Sequence, residues 1–421
     1  MPLPDTDANK SRRRASRKRG GVGLALAGGG PLGGIYEVGA LIALADSLEG
    51  VDLNALDVYV GVSSGSFVAA ALANGISPAQ MYRLFIDDGA DAALRPQLFL
   101  RPALSEFRRR LRSLPRLGMR AVRSYLRDPL RGGAFESLAT LSRALPVGVF
   151  DNAAVERFLA RLLCAPGRSN DFRELESRLY LVATNLDTGA PVVFGGPGHD
   201  HVPISRAICA SSALPGLFPP VVIDGEHYVD GALNKTLHAS VALDEGIELL
   251  LCINPLVPYD VRSVPRRARL TGDKLDHGGL PLVLSQTFRA IIHSRMKTGM
   301  AKYRSQYPDA DVLLFEPDSE DAQMFFTNIF SYRQRSRICA LAYTKTRRSL
   351  LARAGELAPA FRRQGIAMRL DRLHEPHRNV CDAVRDPRPL HHDWSRAPTV
   401  RNTARDLART LDELERYLVG A

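Results

Sequence analysis

Asp57-Val-Tyr-Val-Gly-Val-Ser-Ser-Gly-Ser-Phe-Val-Ala-Ala-Ala-Leu-Ala-Asn74 is the stretch that decides the fold. Asp57–Gly61 reads as a short buried strand running into Val62-Ser63, and the small residues from Ser64 to Asn74 read as a helix that must pack closely. Short apolar runs bounded by turn signals suit strands covered on both faces. Between strand and helix, Gly61-Val62-Ser63-Ser64-Gly65 matches G-x-S-x-G. A serine on a sharp strand-to-helix turn is held in strained backbone with its Oγ above the sheet. Glycines two positions to either side remove side chains that would collide with the strand and the helix. The helix N-terminus beneath favours developing negative charge. Ser63 is the candidate nucleophile.

Towards the N-terminus, Val22-Gly-Leu-Ala-Leu-Ala27 reads as a first strand, and a helical pattern follows from Gly34 to Leu48. The loop between them, Gly28-Gly-Gly-Pro-Leu-Gly33, fits a literal dinucleotide fingerprint. That reading needs an acidic residue about 20 positions on, at the end of the second strand. The second strand ends in Gly61-Val62-Ser63 instead, which argues against a dinucleotide. Acyl transfer uses the same geometry for a different anion, because preorganised backbone N–H groups stabilise the oxyanion. Gly28, Gly29 and Gly30, with the N–H of Ser64, are the oxyanion-hole candidates. Pro31 cannot donate but suits the first turn of a helix.

Further strands are expected at Arg178–Ala183, Val192–Phe194, Val221–Ile223, His227–Val229, Leu249–Ile253 and Val312–Phe315. Helices are expected at Ile204–Ser211, Thr236–Glu245, Leu280–Tyr303, Ile338–Ala352 and Thr403–Leu418. Strands alternating with helices predict an α/β fold on a mostly parallel sheet. A serine nucleophile also needs a proton acceptor. His227, His238, His277, His293, His374 and His377 all follow in the chain, none in a recognisable turn motif. Asp230-Gly231-Ala232 closes the strand His227-Tyr-Val, where a carboxylate would face the same rim as Ser63. An Asp-Gly pair is also a common turn, so residue patterns alone leave both kinds of base open.

With 421 residues, 45% of them hydrophobic, the chain can bury a sizeable core in one or two domains. The net charge of +11 favours an anionic partner. Five widely spaced cysteines without C-x-x-C spacing argue against a disulfide framework or a zinc site and fit a reducing compartment. Residues 1–20 carry Lys10, Arg12, Arg13, Arg14, Arg17, Lys18 and Arg19 without an apolar core, which reads as a disordered basic arm rather than a secretory signal. No uncharged apolar run approaches the length of about 20 residues needed to span a bilayer. Between Arg101 and Arg131, arginines far outnumber Glu106 and Asp128, with Leu104, Phe107, Leu111, Leu114, Leu117 and Tyr125 interleaved. This insertion, about 90–150, reads either as an interfacial lid that meets lipid phosphates or as a solvated cationic helix.

The glycine loop, Gly61–Gly65, Ala210-Ser-Ser-Ala-Leu-Pro-Gly-Leu-Phe-Pro-Pro220 and Asp230–Ala232, in that order, resemble the patatin-like phospholipase family over about Gly21 to Leu256. The resemblance implies a three-layer α/β/α fold with a Ser–Asp dyad and no histidine. It makes Ser63 the nucleophile, Asp230 the general base and Gly28–Gly30 the oxyanion loop, with Gly33, Gly61, Gly65, Gly231 and Ala232 as motif positions. It implies hydrolysis of acyl esters in phospholipids, lysophospholipids or neutral lipids, with no metal or cofactor. Two departures mark a distinct subgroup: Leu32 stands where the family usually has Arg or Lys, and Lys235-Thr-Leu-His238 replaces its usual Asn-x-Pro.

The expected organisation is a basic arm (1–20), a hydrolase domain (21–335) and a mostly helical C-terminal extension (336–421). A cytoplasmic protein is expected, touching anionic membrane peripherally through its arginine-rich segments, with a lipid ester as substrate and no nucleic-acid partner. One alternative is a Ser-Asp-His carboxylesterase, in which the nucleophile turn usually follows several strands rather than the second. The other is a non-catalytic lipid-binding protein.

Overall fold

Each central strand carries two sets of apolar side chains, one for each face of the sheet, and period-two geometry sends them to different cores. Leu24 and Leu26 face one core, while Ala25 faces the other. Leu249, Leu251 and Ile253 alternate in the same way with Leu250 and Cys252. A sheet buried on both faces needs helices on both sides.

The computed structural model describes residues 21–87, 119, 148, 150–256, 299, 302–303, 305–318 and 334–385. The basic arm, nearly all of the arginine-rich insertion and the expected helix 403–418 lie outside the described residues. Of the expected helix Leu280–Tyr303, only Gly299, Lys302 and Tyr303 are described, and all three are helical.

In chain order the elements are β1 (Val22–Leu26), α1 (Gly30–Ser47), β2 (Leu48–Glu49), β3 (Val58–Val62), α2 (Ser64–Ala73), α3 (Pro78–Phe85) and α4 (Asn152–Leu163). There follow β4 (Arg178–Asn185), β5 (Pro191–Phe194), α5 (Ile204–Ser211), β6 (Val221–Ile223), β7 (Glu226–Asp230), a 3-10 turn (Gly231–Leu233), α6 (Ala239–Asp244) and β8 (Leu249–Ile253). Last come β9 (Asp311–Phe315), α7 (Arg335–Ala352), α8 (Ala354–Arg363), β10 (Ala367–Met368), α9 (Leu370–His374) and α10 (Val380–Arg385).

The fold is α/β with a mostly parallel central sheet. Strands β4, β3, β1, β8 and β9 lie side by side in parallel. Strands β5, β6 and β7 add antiparallel pairs at the β4 end. The β6–β7 hairpin turns through Asp224-Gly225, both with positive φ, as a two-residue type I′ turn demands. Helices α1, α2, α3, α5 and α7 supply the larger core, and α6 packs against β1, β3 and β8 on the opposite face. Helix α7 lies along α1, and its Ile338, Cys339, Ala342, Tyr343 and Leu350 belong to the larger core.

All eight expected strands are present, two with unchanged bounds and the others with ends shifted by at most two residues. Helix α1 begins at Gly30 rather than Gly34, with Pro31 in its first turn. Helix α6 begins at Ala239 rather than Thr236, because His238 adopts a left-handed conformation (φ 46°) that ends any continuous helix. Helices α3 and α4 lie outside the expected elements. Their caps are legible in hindsight: a Ser77/Gln80 capping box begins α3, and Asp151 accepts from Ala153 N–H at the start of α4.

Candidate active site

The register of β4 explains how the site forms. Its Arg178–Val182 half pairs with β3, Val62 opposite Val182. Its Ala183–Asn185 half pairs with β7, Asp230 opposite Ala183. Strand β5 pairs across Leu181–Thr184, and because a strand has two edges, β3 and β7 must share the other one. They approach each other head-on, so their C-terminal ends meet.

Ser63 follows β3 directly and has φ 53° and ψ −123°, a conformation that costs a serine about 1–3 kcal/mol. The surroundings hold it there. Its carbonyl accepts from Ser66 N–H (3.0 Å) and from the Ser66 hydroxyl, and its N–H donates to Ser211 Oγ (2.9 Å). The flanking glycines are required by close approach: a methyl at Gly65 would lie 2.5 Å from the Leu26 carbonyl oxygen, and one at Gly61 would lie 2.5 Å from Ser66 Cα.

Asp230 is the last residue of β7. Its N–H donates to the Ala213 carbonyl (3.1 Å), and its own carbonyl accepts from Thr184 Oγ1 (3.1 Å). Carboxylate Oδ1 accepts from Ala232 N–H (2.9 Å), and Oδ2 accepts from the Ser63 hydroxyl (2.7 Å). Both residues are buried. Burial pushes the Asp230 carboxyl up to about 6, against the hydrogen bonds from Ala232 N–H and Ser63. Above that value the carboxylate is ionised and more basic than one at the surface.

The glycine loop borders Ser63. A methyl at Gly28 would lie 2.8 Å from Ser63 Cβ, 3.4 Å from Ala232 Cβ and 3.5 Å from Ser63 Oγ. Gly29 is the N-cap of α1, and Gly30 opens the helix with φ 64°. The first turn of a helix presents N–H groups that lack intrahelical partners, together with a positive dipole end. Gly33 lies against Pro255 and the Ser64 side chain. The Ser64 side chain is therefore turned toward α1, and its Oγ has no hydrogen-bond partner among the described residues. Gly231 lies against the Val182 carbonyl.

Among the described residues, no candidate histidine is hydrogen-bonded to Ser63 or Asp230. Exposed His227 pairs with Asp187 (3.2 Å), and exposed His374 bonds the Leu370 carbonyl (2.6 Å). His238 is buried, hydrogen-bonds the Gly231 backbone and is pushed down to about 4 by burial, so its ring is neutral at pH 7. His377 is exposed, and His277 and His293 lie outside the described residues. Ser211 and Ala213 also contribute, but neither carries a signal of its own in the sequence, because their partners lie far along the chain, 148 residues in the case of Ser211 and Ser63.

A family model described as patatin-like phospholipase matches residues 24–243. The chain belongs to that family. Residues 24–243 of this patatin-like chain thus carry the domain of a lipid-hydrolase family. It is 26% identical over 222 residues to the uncharacterized protein R571 of Acanthamoeba polyphaga mimivirus, a match covering 52% of this chain and 60% of that one. Among solved structures, VipD from Legionella pneumophila is similar at 14% identity and a TM-score of 0.31, covering 77% of this chain and 67% of that one. ExoU from the type III secretion system of Pseudomonas aeruginosa, in complex with SpcU, is similar at 20% identity and a TM-score of 0.25, covering 67% of this chain and 53% of that one. Among the described residues of this patatin-like chain, no helix is long and apolar enough to cross a membrane, and no cluster of His, Cys, Asp or Glu is placed to hold a metal ion.

Proposed function

We propose that this patatin-like protein is a serine lipid acyl hydrolase, of the phospholipase A or lysophospholipase type, working through a Ser63–Asp230 dyad. The observation that carries the reading is the 2.7 Å hydrogen bond from Ser63 Oγ to Asp230 Oδ2 at a strained strand-to-helix turn. Asp230 takes the hydroxyl proton as Ser63 Oγ attacks the ester carbonyl carbon. The loop Gly28–Gly30 and the Ser64 N–H receive the oxyanion, each donor worth about 3–4 kcal/mol in the transition state. Collapse expels the alcohol, which leaves with the proton from Asp230, and an acyl-Ser63 ester remains. Water then gives a proton to Asp230 and attacks the acyl carbon. The fatty acid departs, and the proton returns to Ser63.

The net charge of +11 supports a membrane surface as the place where substrate is met. The five free cysteines fit a cytoplasmic location.

Fluorophosphonate labelling and fatty-acid release from phospholipid vesicles test this reading. Both signals are expected from the wild type and neither from Ser63→Ala, with the far-UV spectrum unchanged. Near-normal turnover in Asp230→Ala would overturn the dyad.

A further inference from the structure

We infer that Ser211 is a positioning residue of this hydrolase, its hydroxyl locking the strained nucleophile turn to β4; the inference rests on the acyl-hydrolase reading above. Ser211 is fully buried at the C-terminal end of α5. Its Oγ accepts from Ser63 N–H at 2.9 Å and donates to the Val182 carbonyl at 2.6 Å. Val182 is the β4 residue opposite Val62, the last residue before the nucleophile. One hydroxyl thus ties the nucleophile's backbone to the strand that sets the position of both catalytic ends.

The next turn of chain completes the grip. Two residues on, the Ala213 carbonyl accepts from Asp230 N–H. Ser211–Ala213 therefore holds the nucleophile by one backbone N–H and the base by the other. Neither contact touches the reacting atoms. Together they set the separation across which the proton moves.

Without the Ser211 hydroxyl, Ser63 N–H and the Val182 carbonyl become buried groups in need of partners. The left-handed turn then loses a restraint, and Ser63 Oγ drifts from Asp230. Displacements of about 1 Å at a reacting centre cost roughly 10²-fold in rate. The hydrogen bond from Ser63 also holds the Asp230 carboxyl down against burial, so a looser contact lets it rise further.

The test compares Ser211→Ala, Ser211→Thr and Ser211→Val in the full-length protein. Thr and Val have nearly the same shape and differ by the hydroxyl, which separates the hydrogen bonds from packing. Ser211→Ala is expected to lower kcat by about 10–100-fold, with KM changed less than about twofold. The acid limb of kcat/KM should move to higher pH. Ser211→Thr should recover kcat over Ser211→Val by at least about fivefold, even if both lose some stability to the extra methyl. Wild-type kcat and an unmoved acid limb in Ser211→Ala would overturn the inference, as would equal kcat for Thr and Val. A wild type that neither labels with fluorophosphonate nor releases fatty acid would instead overturn the hydrolase reading.

Discussion

Val62 and Asp230 face neighbouring residues of one strand, Val62 opposite Val182 and Asp230 opposite Ala183. Strands β3 and β7 thus run at each other along the same edge of β4. The serine that follows the first meets the carboxylate that ends the second. A parallel pair cannot do this, because parallel ends point the same way. The antiparallel hairpin β6–β7 is what turns the Asp230 carboxylate back toward Ser63.

The pH profile should report Asp230. In the proposed dyad only the ionised carboxylate accepts the Ser63 proton, and burial sets that ionisation at about 6. Below that pH, kcat/KM is expected to fall about tenfold per unit, and above it to level off. His238→Asn should leave the limb in place, since asparagine tolerates the left-handed backbone. Loss of the limb in that variant would implicate an imidazole.

Asp230→Asn should separate stability from activity. Asparagine keeps both hydrogen bonds, its oxygen accepting from Ala232 N–H and its amide donating to Ser63, but it cannot take a proton. Turnover is expected to fall by roughly 10²–10⁴-fold. A buried carboxyl with a raised pKa leaves the fold most stable below the ordinary carboxylate range, and that stability is lost as pH rises to about 6. Above that pH the variant should be more stable than wild type by an amount on the order of 2–3 kcal/mol. Chemical denaturation near neutral pH measures it, and a less stable variant would refute the expectation.

Gly28→Ala places a methyl 2.8 Å from Ser63 Cβ, so Ser63 or the loop must move. Fluorophosphonate labelling should slow by about 10²-fold or more. The stability cost should stay within about 1–3 kcal/mol. Labelling at the wild-type rate would place the oxyanion loop elsewhere.

Glu37 offers a stability test away from the chemistry. It is fully buried in α1, and neither carboxylate oxygen has a hydrogen-bond partner among the described residues. Burial pushes its carboxyl well above the usual range, so the folded state keeps it protonated and stability falls as pH rises toward that value. Glu37→Gln retains the shape without the ionisation. Thermal melts should coincide near pH 4 and favour the variant at alkaline pH. Coincident melts at both would show that Glu37 is not charged on unfolding as expected.

Much of this was legible in the chain. Val22–Ala27 and Leu249–Ile253 are short apolar runs long enough only for buried strands, and Gly61–Gly65 declares its turn through glycines that nothing larger could replace. Asp230 was readable as a strand end but not as the neighbour of Ser63, because a sequence does not say which edge a strand takes. That choice lies in the β4 register. Ser211 was hidden for the same reason, since its role depends on two partners distant in sequence. His238 misled the helix boundary because a left-handed histidine leaves no trace in hydrophobic spacing.

The strand arrangement also bears on when chemistry can begin. In the proposed dyad, a polypeptide that has formed the Ser63 turn lacks its proton acceptor until 167 further residues have followed and the β6–β7 hairpin has docked. In the proposed dyad, hydrolysis therefore requires the β6–β7 hairpin to be in place on β4. Truncation products that stop short of the hairpin would be inert toward the lipids around them.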